Sequence, residues 1–147
     1  MKILLTLTLV IISFLFFQKL ILKNYFKGKL IILLDEVKIT ALKLKEGKFN
    51  IKLIITSTID KTIKLVYIEY SLYGNDYEIG GKKIPCDLII YPRKSIILNT
   101  HLEVKDSYGA GQIWASCKWR IPVYWKIKGI ICFKSWLGPV KLSFASD

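Results

Sequence analysis

At 147 residues the chain has room for one domain and a short appendage, which excludes a multidomain enzyme. Its hydrophobic content of 52% is high for a soluble protein, and its net charge of +12 is strongly basic. One histidine and three cysteines without a Cys-x-x-Cys spacing exclude the spaced Cys/His zinc motif.

The excess of apolar residues begins at the N-terminus. Ile3 to Phe17 are apolar apart from Thr6, Thr8 and Ser13, and Leu20-Ile21-Leu22 extend the run beyond Gln18 and Lys19. As a helix, residues 3–22 would reach about 30 Å, one hydrocarbon core, with the Lys19 stem positioned to snorkel to the headgroups. A cleaved signal peptide would share the basic start at Lys2 but needs a small-residue cleavage site. Neither Phe14–Phe17 nor Leu20–Leu22 offers one, so residues 1–22 are expected to be an uncleaved, single-pass membrane anchor.

Residues 23–34 form a basic junction. Lys23, Lys27 and Lys29, together with Lys19, are the candidate contacts to anionic lipid headgroups, each worth about 1 kcal/mol near such a surface. The following run, Leu30 to Leu34, can either extend the anchor or begin the domain. The side of the membrane stays open. Lysines after the anchor favour a cytoplasmic domain, whereas a basic start often places the C-terminal part outside. Without Lys2 and the four lysines just named, 18 basic residues face 11 acidic ones, a remainder of +7 dispersed over residues 35–147 as an ordinary solvated surface.

From about residue 35 the hydrophobic period is two, which predicts half-buried strands. Residues 36–45 change phase between Val37/Ile39 and Leu42/Leu44. In residues 48–58, Phe49, Ile51, Leu53, Ile55 and Ser57 share one face. Residues 62–73 switch parity near Leu65, where a bulge would re-aim the strand. This strand ends in Tyr70-x-Leu72-Tyr73 and a Gly74-Asn75-Asp76 hairpin turn. The return is expected to break at Gly80-Gly81, and Pro92-x-x-Ser95 opens an alternating strand over 95–104. Further strands are expected over 120–133, starting from Ile121, and over 140–144 after a Gly138-Pro139 turn. Between them, Ile113, Trp114 and Cys117 fall at helical spacing, so a short capping helix is expected near 109–118. About seven strands, each with one polar face, need two packed sheets. The expected fold is therefore an all-β, immunoglobulin/fibronectin-III-like antiparallel sandwich over 35–147.

This order of elements resembles the late embryogenesis abundant type 2 family, which includes the water stress and hypersensitive response domain. The resemblance rests on Tyr70, Leu72, Tyr73, Gly74, Asn75, Ile79, Gly80, Gly81, Pro92 and Ser95, followed by a late strand ending at Gly129 and a final strand led by Gly138. It covers most of residues 36–145. One element of the family pattern is replaced: Ser57-Thr58-Ile59-Asp60-Lys61 stands where the family carries Asn-Pro. The resemblance implies a non-enzymatic, stress-protective or binding domain at a membrane or cell envelope.

The residues themselves supply little chemistry. His101 is alone and on the outward face of its strand, the carboxylates are scattered, and no phosphate-cradling glycine motif occurs. No catalytic residue, metal, cofactor or nucleic-acid partner is expected. Cys86, Cys117 and Cys132 are odd in number, leaving at least one free thiol in a monomer. Tyr70 and Trp125 suit the sandwich interior. Trp114, Trp119 and Trp136 lie late in the chain near lysines, and are the candidates for an apolar groove or a bilayer interface. Two alternatives to a membrane-surface role are a lipid or apolar-ligand carrier, with those tryptophans lining a gap between the sheets, and a structural subunit of a surface appendage. The absence of a processed leader ahead of the helix weighs against pilin-like export.

Overall fold

A computed structural model describes residues 1–136 and 138–147 of the chain. The unbroken apolar run forms helix α1 (Lys2–Phe26), exposed on every side as far as Ile21. It ends at a tight link, where Lys29 N–H donates to the Phe26 carbonyl (3.0 Å) and Gly28 takes φ +79°. That conformation carries little cost only for glycine. Seven strands follow: β1 (Leu30–Lys43), β2 (Glu46–Ser57), β3 (Ile63–Gly74), β4 (Tyr77–Ile90), β5 (Ser95–Val104), β6 (Trp125–Ser135) and β7 (Gly138–Ser146). Helix α2 (Tyr108–Lys118) lies between β5 and β6. The run Leu30–Leu34 therefore begins the first strand instead of prolonging the helix.

The strands form a three-stranded sheet, β1-β2-β5, packed on a four-stranded sheet, β4-β3-β6-β7, with every pairing antiparallel. This is the expected immunoglobulin/fibronectin-III-like sandwich, one layer burying the apolar parity of the other. On β2 the buried residues are the predicted Phe49, Ile51, Leu53, Ile55 and Ser57. The parity switch in β3 is a register shift between Leu65 and Tyr67, and β1 shifts at Leu34/Glu36 and again at Ile39/Ala41. The Gly74-Asn75-Asp76 turn is a two-residue hairpin with φ +48° at Asn75 and +67° at Asp76, the primed geometry that matches strand twist.

Three local expectations are corrected. Gly138 and Pro139 open β7, paired with Ser135 and Lys134, instead of forming a turn. Gly80 and Gly81 do not break the returning strand: β4 runs through both. Their lack of a side chain serves close approach, since a Cβ at Gly80 would lie 2.5 Å from Val104 Cγ1, and one at Gly81 2.6 Å from the Tyr70 carbonyl oxygen. The strand expected from Ile121 starts only at Trp125. Pro122 has no N–H to donate to a ladder. The residues before it wrap the end of α2, with Ile121 N–H bonded to the Ser116 carbonyl (2.8 Å) and Arg120 at φ +56°.

The short helix α2 forms where expected. Ser107 caps it, accepting from Ala110 N–H (3.1 Å) while its hydroxyl donates to the Ile79 carbonyl (2.6 Å). Gly109, Ala110 and Ile113 face inward, whereas Cys117 is exposed, so the buried stripe is narrower than the spacing suggested.

Inside the sandwich, Tyr70 is buried with its hydroxyl 3.2 Å from Thr100 Oγ1. Burial pushes this phenol up, and the Thr100 bond opposes the shift. With the folded-state value above the unfolded one, the contribution is intact below about pH 10 and is lost as pH rises beyond it. Tyr70→Phe is expected to cost about 1 kcal/mol at neutral pH and to remove that alkaline loss. Urea midpoints measured at neutral and alkaline pH check both parts.

Candidate membrane-facing end

The end of the sandwich nearest α1 is built from five segments. The last turns of α1 and the link at 27–29 meet the β2–β3 loop at 58–62, the β4–β5 turn at 91–94, and the β6–β7 turn with Trp136. Backbone bonds lock them together. Thr58 donates to the Lys29 carbonyl through both N–H (2.9 Å) and hydroxyl (3.0 Å), and Ser57 N–H donates to the Lys94 carbonyl (3.1 Å). Pro92 and Arg93 make the turn before Ser95, Arg93 at φ +55° and Lys94 N–H bonded to the Tyr91 carbonyl (3.2 Å).

An aromatic cluster seats the helix on this end. Phe26 is fully buried, with ring centroids 5.0 Å from Phe133, 5.6 Å from Trp136 and 5.1 Å from Tyr25, all edge-on. Tyr25 meets Trp136 at 6.0 Å. Lysines cover the outer side of the cluster: Lys29 Nζ stands 3.5 Å from the Tyr25 centroid, and Lys61 Nζ 4.6 Å from that of Trp136. Such contacts hold an ammonium over an aromatic face while leaving it wet. Beside them, Lys19, Leu22 and Lys23 of α1 face Pro139, Val140 and Lys141 of β7 across a groove of about 350 Å³.

The electrostatics are one-sided. The segments 19–29, 58–62, 91–94 and 134–141 carry nine basic residues and a single carboxylate, Asp60. Arg93 neutralises that carboxylate, its Nε and Nη2 lying 2.9 and 2.7 Å from the same oxygen. Carboxylates gather instead in a cleft of about 790 Å³ toward the other end, where Asp35, Glu36, Asp76 and Asp147 surround Val37, Val123 and Trp125.

Lys19 and Lys23 thus lie beside β7, Lys29 lies over Tyr25, whose ring meets Trp136, and Lys27 is exposed in the link. Trp114 and Trp119 are at the opposite end, on and just after α2, with Lys118 Nζ 5.2 and 6.0 Å from their ring centroids. The three tryptophans therefore do not line one gap. Sequence reasoning missed Tyr25, Phe26, Lys61, Tyr91 and Arg93. The lysine cluster near the helix was visible, but the loops that join it come from distant parts of the chain.

The residues of the hairpin pattern are structural. Asn75 N–H donates to the Tyr124 carbonyl (2.9 Å), its side-chain amide donates to the Pro122 carbonyl (3.2 Å), and its side-chain oxygen accepts from Tyr124 N–H (2.8 Å). A Cβ at Gly74 would strike Ile113 of α2. His101 is exposed, with Nδ1 2.7 Å from Asn50 Oδ1 across the strand pair. Among the described residues no group of three or more His, Cys, Asp or Glu side chains is placed to hold a metal ion. Cys86, Cys117 and Cys132 are free thiols, and burial pushes that of Cys86 up.

The molecule is a β-sandwich plugged by the end of a helix that is long and apolar enough to cross a membrane. A scan against protein-family models and a search of curated proteins find no match. Solved structures do. One neighbour is described as a candidate late embryogenesis abundant protein, with 15% identity and a TM-score of 0.53, the alignment covering 98% of this chain and 86% of that one. Another is a protein of Arabidopsis thaliana, with 14% identity and a TM-score of 0.61 over 78% of this chain and 76% of that one. At these identities the likeness is one of fold, and the fold is late embryogenesis abundant-like.

Proposed function

We propose that this chain is a membrane-tethered, non-catalytic sandwich whose helix-side end binds anionic lipid headgroups. The observation that carries the reading is convergence: loops from four parts of the chain bring lysines and aromatic rings to the place where the apolar helix enters the domain. Tyr and Trp at headgroup level, flanked by lysines, are the ordinary composition of a membrane–water interface. The uninterrupted course of α1 from Lys2 into the core at Phe26 supports a retained anchor over a cleaved leader. Protection of a membrane surface under water stress is the role that the late embryogenesis abundant-like fold suggests for such a module.

Membrane fractionation tests the reading. The full chain is expected to resist high-salt and carbonate washes. A chain lacking residues 1–22 is expected to fold, to pass into the soluble fraction at high salt, and at low salt to bind phosphatidylserine vesicles in preference to phosphatidylcholine. Screening accounts for the salt dependence. Retention of the truncated chain through the salt wash would contradict anchoring by the helix. Equal binding to both lipids would contradict headgroup recognition.

A further inference from the structure

The outer face of the β1-β2-β5 sheet divides sharply along its length. Near the helix, Leu33 pairs with Ile54 and Ile54 with Ile97, making an apolar row across all three strands, with Ile31 beside it on β1. Ile97 is 58% exposed, Leu33 49% and Ile31 41%. Farther from the helix the same face is polar and charge-balanced. Glu36 and Lys52 lie opposite one another, as do Lys38 and Asn50, and the ammonium groups of Lys38, Lys48 and Lys52 lie 3.7, 4.0 and 3.3 Å from Glu36, Glu103 and Asp35. The other sheet differs at the corresponding level near the helix, where Lys64 and Lys134 face outward as a cross-strand pair.

Resting on the membrane-tethered reading above, we propose that the sandwich leans, and that the row Leu33–Ile54–Ile97, with Ile31, lies in the interfacial layer of the bilayer. Continuity with the anchor identifies the occupant. β1 leaves the helix after a three-residue link, so Leu33 sits only about 10 Å along the strand from its start. The headgroup layer is about 5–8 Å deep on each side. With about 6 Å added by residues 23–26 of the helix, an upright domain would leave the row outside that layer, and a tilt toward this face brings it in. At the same level the opposite face reads Ile89, Lys64, Lys134 and Pro139, with no unbroken apolar row, so a tilt that way would bury less apolar surface.

The test is site-specific photo-crosslinking of the full chain in mixed phosphatidylcholine–phosphatidylserine vesicles. A benzoylphenylalanine replaces Ile97 in one variant. In the other it replaces His101, on the same face about 13 Å farther along the strand. Both positions are exposed, so the fold tolerates the probe. Lipid adducts are expected at position 97, with their loss at 101. A cross-linked dimer from position 97 would show that a second copy covers the face, and would overturn the inference. So would the absence of adducts at 97 in protein that floats with the vesicles, although tethering would then stand. Failure to float would overturn the tethering and the inference together.

Discussion

Gly129→Val is expected to destabilise the fold severely. Gly129 lies in the middle of β6, opposite Tyr70 of β3. A Cβ there would collide with the Glu69 carbonyl oxygen, and its next neighbour is the Tyr70 Cα at 2.8 Å. Both obstacles are backbone of the central strand, which cannot move without breaking its ladders to β4 and β6. Overpacking a soft core site costs about 1–3 kcal/mol, and this site has no soft side. A loss above about 4 kcal/mol is expected, against a total stability of about 5–15 kcal/mol for a domain. Gly28→Ala is the control. Its φ of +79° is strained for alanine, but nothing lies within 4 Å of the new atom, so about 1–2 kcal/mol is expected. Urea unfolding followed by far-ultraviolet circular dichroism compares them. Equal midpoints would show that the close approach of β3 and β6 is not what the glycine serves.

Phe26→Ala is expected to cost about 3–5 kcal/mol. Although Phe26 belongs to the helix, it has no exposed surface and completes the core between Phe133 and Trp136. Truncation leaves a hole at the mouth of the sandwich, where water can enter and where the helix loses its seat. Trp136 should therefore report the change directly, with its emission moving to the red in the folded variant. Tyr25→Ala removes a neighbouring ring that is already partly exposed, and it should perturb stability much less. If both substitutions weigh equally, the helix end is a surface attachment instead of a plug.

These two sites show where sequence reading succeeds and where it stops. The alternation of Phe49, Ile51, Leu53 and Ile55 exposes a strand and its inward face, because a pleated backbone turns every second side chain the same way. The hairpin at Gly74-Asn75-Asp76 was legible for an equally local reason: few residues adopt positive φ at little cost. Gly80, Gly81 and Gly129 were legible only as glycines. That they mark close approach, and do not break a strand, depends on partners that lie at least ten residues away and as many as sixty. The start at Ile121 failed because the period of two continued through Pro122, while α2 upstream claimed that segment.

The candidate site divides in the same way. The amino-acid order alone determined the apolar helix, the lysines that follow it and the parity of each strand, since these depend on composition and on neighbours a few residues apart. Only the tertiary structure decided that Phe26 belongs to the core, that Trp136 joins the lysines while Trp114 and Trp119 sit at the far end, and that Leu33, Ile54 and Ile97 form one row. Those relations arise from strand register and from loops closing over long separations. A one-residue change of register would transfer each of these side chains to the opposite face.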